Sequence, residues 1–148
     1  TVEVALDSGC CDHVMDAEDA PGYLVQESPG SRRGLNFVVG NGERVPNDGQ
    51  LLLNLEASTT DGRTLGVRST FQVAEVNKVL AAVSALVDTG HRVTFDKDDR
   101  TGSDVSFILN KATGETTKMR RERNVWVVDA WIEEEGPGDS DSLFARQE

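Results

Sequence analysis

The chain is short of the residues that build metal centres, nucleic-acid surfaces and membrane anchors. It has two histidines, His13 and His91, and two cysteines, Cys10 and Cys11, which are adjacent. With no second cysteine pair, no metal site is expected, and no cofactor is expected either. Neighbouring cysteines rarely reach disulfide geometry, so these two read as small, semi-buried free thiols, which favours a reducing, intracellular compartment. Lys and Arg number 15 against 26 Asp and Glu, a net charge of −11. That shortage of clustered base argues against an extended nucleic-acid footprint. No stretch approaches the ~20 apolar residues of a membrane span. No internal repeat is present, and no signal peptide. The chain starts without Met, as a trimmed precursor, an excised polyprotein segment or an incomplete chain would.

What is present is mostly β. The 148 residues suit one domain, and two separately folded lobes would be cramped. Most apolar segments are short, β-branched and bounded by turn residues: residues 2–6, 35–39, 51–55, 65–76, 93–95, 105–109 and 125–132. Gly40-Asn41-Gly42 predicts a hairpin, and Asp61-Gly62 and Thr113-Gly114 predict turns. One helix is expected, over residues 79–87 ("VLAAVSALV"), with Gly90 as its C-terminal stop. The fold class is therefore mostly β, a closed barrel or sandwich with one short helix. The domain is expected to occupy residues 1–132. Residues 133–148 carry Glu133, Glu134, Glu135, Asp139, Asp141 and Glu148 and read as a solvated acidic tail.

Residues 2–15, "VEVALDSGCCDHVM", place an apolar run directly against Asp7-Ser8-Gly9. The bland reading of this triplet is a strand-to-turn corner, in which Asp and Ser bond local amides and Gly turns the chain. The chemical reading is a hydrolytic carboxylate. Two carboxylates sharing one proton can activate a water against a peptide carbonyl, but a single Asp cannot. A second triplet, Asp88-Thr89-Gly90, lies too close in sequence for two complete lobes and reads as a helix stop. The second carboxylate is better supplied by another copy of the chain across a two-fold axis.

Four stretches, in order, resemble the protease segment of copia-type retrotransposon polyproteins, a branch of the retroviral-like aspartic proteases. They are "LDSGCCDHVM", with His13 at that family's His position; "FVVGNGERVPNDGQLLL"; "FQVAEVNKVLAAVSALVDTGHRVTF"; and "RRERNVWVVDAW". The resemblance spans residues 2 to about 132. It implies a retropepsin-like homodimer in which Asp7 is catalytic, the Ser8 hydroxyl bonds across the dimer and Gly9 leaves room for the water. It also implies a flap over 40–49, with Gly40, Asn41 and Gly42 lying over an extended peptide. The chain departs from the family pattern at Cys10 and Cys11, where a small residue and then Ser or Thr are usual. The apolar-apolar-Gly brace of the catalytic loop is not evident either; "ALVDTG" is an imperfect stand-in. The rival reading is a catalytically silent domain of the same ancestry, an accessory subunit whose tail contacts other subunits of a larger assembly.

The other conspicuous residues read as structural. Trp126 and Trp131, five apart, face opposite sides of a strand, one for the core and one for an interface. Arg32, Arg33, Arg120, Arg121 and Arg123 read as solvated or as intrachain ion partners. His13 and His91 read as polar turn residues rather than catalytic bases.

Overall fold

The computed structural model describes residues 1–134, so most of the acidic tail lies outside the described residues. The strands in chain order are β1 (Val2–Asp7), β2 (Val14–Met15), β3 (Asn36–Val38), β4 (Arg44–Pro46), β5 (Gly49–Ser58) and β6 (Thr64–Val73). They continue with β7 (Val79–Ala82), β8 (His91–Thr94), β9 (Phe107–Asn110), β10 (Thr116–Lys118), β11 (Arg120–Glu122) and β12 (Val125–Ile132). Six of them run β1-β7-β2-β6-β5-β12, and pairing of β1 with β12 closes the sheet into a barrel. β11 adds to the outside of β12, β10-β9-β8 form a three-stranded satellite, and β3-β4 form a separate hairpin.

Alternation writes the long strands. On β5, Leu51, Leu53, Leu55 and Ala57 are buried, while Gln50, Glu56 and Ser58 reach outward. Phe71 and Val73 of β6 and Val128 and Ala130 of β12 meet that inner face, with Met15 and Met119 filling the barrel. Asn54 is the exception on β5. It is buried because the Tyr23 hydroxyl, which also donates to the Glu133 carbonyl at 2.6 Å, covers its backbone. The Glu133 amide in turn donates to the Asn54 carbonyl at 3.0 Å, so the first residue assigned to the tail still belongs to the barrel's hydrogen-bond network.

Two expectations are corrected. Residues 79–87 are not one helix. Val79–Ala82 is strand β7, parallel to β1, and only Val83–Asp88 forms a helix, α2. A strand buried between neighbours reads as a continuous apolar run, which periodicity cannot separate from a buried helix. Nor is there a single helix: Pro29–Arg32 forms α1, closed by a Ser28–Ser31 capping box, and Ala17–Asp19 forms a 3-10 turn. Gly90, at φ +90°, ends the α2 segment as the sequence predicts.

The two tryptophans do face differently. Trp126 is half-buried against Phe95, with ring centroids 4.6 Å apart, and donates from Nε1 to Asp104 at 2.9 Å. Arg121 stacks over its ring. Trp131 is exposed beside Glu56, in a recess of about 260 Å³. Arg32 pairs with Glu27, and Arg120 gathers Glu3, Glu122 and Asp129.

Candidate active site

Asp7 is the last residue of β1, and its register partner on the parallel strand β7 is Ala82. There the chain turns out of the barrel. Asp7 Oδ1 accepts the Gly9 amide at 2.7 Å, an Asx-type turn that orients the carboxylate along its own loop. A Cβ on Gly9 would sit 3.3 Å from that oxygen, so glycine keeps the approach to the carboxylate open. Asp7 is half-exposed, and Ser8 and Gly9 are exposed. No ion pair among the described residues involves Asp7.

Cys10 and Cys11 are both free, the first half-buried and the second exposed. Burial, and then the neighbouring Asp7 carboxylate, push the Cys10 thiol up to about 11. It therefore stays protonated beside the Asp7 carboxylate. A thiol can donate a hydrogen bond, though a weaker one than a hydroxyl gives.

The loop is clamped from behind by Ser84, which the sequence did not single out, and by His13, which it marked only as a polar turn residue. Ser84, in the first turn of α2, donates to the Cys10 carbonyl at 3.3 Å. His13 Nδ1 accepts the Ala82 amide at 2.9 Å, and its carbonyl accepts the Gln72 amide at 2.8 Å. Its ring lies 5.3 Å from that of Phe71. Burial holds His13 below the usual imidazole value of 6.5; Asp12 opposes that shift and His91 adds to it. His13 is thus a half-buried brace rather than a turn residue, whereas His91 starts β8 and lies against the Leu86 carbonyl. The reading of 79–87 as a helix hid the parallel β1–β7 pair, and with it the brace.

Asp88 closes α2 at the end away from Ser84, and Thr89 caps the helix by bonding the Ala85 carbonyl. The second Asp-x-Gly triplet thus serves as a helix terminus.

Gly40, Asn41 and Gly42 form the exposed tip of the β3–β4 hairpin. The Gly42 amide donates to the Val39 carbonyl at 2.8 Å, with Gly42 at φ +84°, and Asn41 Oδ1 accepts the Glu43 amide at 2.9 Å. A type I turn followed by a left-handed glycine is a common three-residue hairpin. The foot of the hairpin is fixed by Asn47, which donates to Gln72 at 3.0 Å and accepts the Gly49 amide at 2.9 Å. The hairpin is therefore anchored at its base, through the β6 residue that also holds His13, and bare at its tip.

Two recesses lie elsewhere. One is the Trp131 recess; the other, about 540 Å³, is edged by Asp16, Glu18, Asp48 and Glu75. Neither includes Asp7. Among the described residues no group of three His, Cys, Asp or Glu side chains could hold a metal ion, and no helix is long and apolar enough to cross a membrane. Comparison with protein-family models, curated proteins and solved structures found no match to this chain.

Proposed function

We propose that the chain is one half of a retropepsin-like aspartic endopeptidase, completed as a homodimer and acting on extended segments of a polyprotein. The observation that carries this reading is the setting of Asp7. It is a half-exposed carboxylate at the end of a barrel strand, oriented by the Gly9 amide and without an ion-pair partner among the described residues. A structural corner would also bond the Gly9 amide; the support for chemistry is that the carboxylate stays half-exposed with no ion pair among the described residues.

In the proposed dimer each copy presents Asp7 at the two-fold axis. Repulsion between the two carboxylates leaves them sharing a proton, so one takes a proton from the attacking water. The other protonates the carbonyl oxygen as the tetrahedral intermediate forms. Proton transfer to the leaving amine then completes cleavage. Ser8 would bond across the interface and Gly9 would admit the water. The hairpin tip at Gly40, Asn41 and Gly42 would cover an extended peptide through main-chain hydrogen bonds.

The test is cleavage of a mixed peptide library between pH 4 and 8 by wild type and Asp7→Asn, with sedimentation to establish the oligomer. Cleavage by wild-type dimer and none by Asp7→Asn is the expected result. A stable wild-type dimer that cleaves nothing would refute catalysis and favour the accessory-subunit reading.

A further inference from the structure

We propose that His13 is the positioning residue of the Asp7 loop, and that it acts only as a neutral imidazole, so acid disengages the site. The inference rests on the endopeptidase reading for its effect on turnover, but its structural part stands on the hydrogen bonds alone.

β2 pairs antiparallel with β7 at Val14 and Leu80, so two residues further along β7 the amide of Ala82 should meet the backbone of residue 12. By then the chain has left β2, and that backbone acceptor is missing. His13 Nδ1 takes its place at 2.9 Å from the Ala82 nitrogen. Ala82 is fully buried, so its amide has no water to fall back on. It is also the register partner of Asp7. The imidazole therefore completes the ladder at the row where β1 delivers the carboxylate.

An acceptor at Nδ1 requires a lone pair there, so the ring carries its proton on Nε2. Protonating Nδ1 would set one N–H donor against another. The groups facing the ring are few. Its own loop supplies Asp12, β6 supplies Phe71, β7 supplies Ala82, and His91 comes from β8. Asp12 is the one anion among them, and burial outweighs it. With the folded value below the unfolded one, the unfolded chain binds the proton first. Stability is whole above pH 6.5 and declines as pH falls from there through the native-state midpoint.

The experiment uses the full chain. Long-range imidazole nitrogen NMR on wild type should find Nδ1 unprotonated, with a His13 midpoint below 6.5, and the Gly9 and Cys10 amides should shift with that midpoint. His13→Asn offers a non-titrating acceptor; His13→Phe offers none. In peptide cleavage His13→Phe should lose roughly tenfold or more in kcat with KM little changed, while His13→Asn retains kcat and loses the His13 acid limb. A protonated Nδ1, loop amides indifferent to His13 titration, or an Asn variant no better than Phe would overturn the proposal. If no variant cleaves peptide at any pH, the endopeptidase reading fails, and the tautomer and loop amides still decide the role of His13.

Discussion

Gly49 lies at the foot of the hairpin and opens β5, and replacing it by alanine should be among the most damaging single-methyl changes in the molecule. Its φ is +134°, outside the range of L-residues, and a Cβ there would lie 2.3 Å from the Gln26 carbonyl oxygen and 3.0 Å from Val25 Cγ1. The backbone conformation alone costs a non-glycine residue about 1–3 kcal/mol. The oxygen belongs to the backbone, so relief means parting the Gln26–Gln50 bridge, whose two hydrogen bonds are 2.8 and 2.7 Å. Each is worth about 0.5–1.5 kcal/mol net, which brings the expected loss to roughly 2–6 kcal/mol. In urea unfolding the midpoint should drop accordingly, and the melting temperature by about 10 °C. Gly66, on the adjacent strand β6, is the control: a Cβ there meets nothing within 4 Å, and Gly66→Ala should stabilise by roughly 0.5–1 kcal/mol. Losses below about 1 kcal/mol for Gly49→Ala, or equal effects at the two glycines, would refute the packing argument.

Two further outcomes are expected. The Arg120 guanidinium holds the Asp129 carboxyl below its ordinary value of 3.8, so that stabilisation is present above pH 3.8 and is lost as pH falls through the lower folded value. Arg120→Met should lower the melting temperature at low salt, less so at high salt, and flatten that acid loss; an effect indifferent to salt would contradict the ion-pair account. Thiol alkylation at pH 8 should modify exposed Cys11 first, with Cys10 slower by on the order of tenfold or more. Asp7→Asn, which removes the charge beside Cys10, should narrow that gap, and an unchanged ratio would argue against the Asp7–Cys10 contact.

Much of the barrel is legible in the sequence because period-2 alternation on β5, β6 and β12 faces a wet side and a dry side. Glycine chemistry marks the hairpin tip, the β5–β6 turn and the end of α2 through positive φ at Gly42, Gly62 and Gly90. The parallel strand β7 is not legible, since burial on both sides erases alternation from "VLAA". β2 is two residues long, too short to carry a pattern. α1 could have been read from Ser28-Pro29 with Ser31 three positions after the cap. At the site, Asp7 stands out in the sequence because a carboxylate interrupts an apolar strand. The roles of its supports do not: Ser84, and His13 although its position was noted, act on backbone groups of Cys10 and Ala82, which only the β1–β7 pairing brings within reach. β11, whose arginines read as solvated or as intrachain ion partners, is an edge strand whose Arg120 ties three carboxylates to the barrel wall.

The central claim, that two chains each contribute Asp7 to one site, is tested most directly by mixing. Wild type and Asp7→Asn are combined in varying proportions, allowed to exchange subunits, and assayed for peptide cleavage at fixed total chain concentration. Activity should follow the square of the wild-type fraction, falling to about a quarter in an equal mixture. Activity that falls only in direct proportion to the wild-type fraction, or a dimer that is inactive at every proportion, would contradict it.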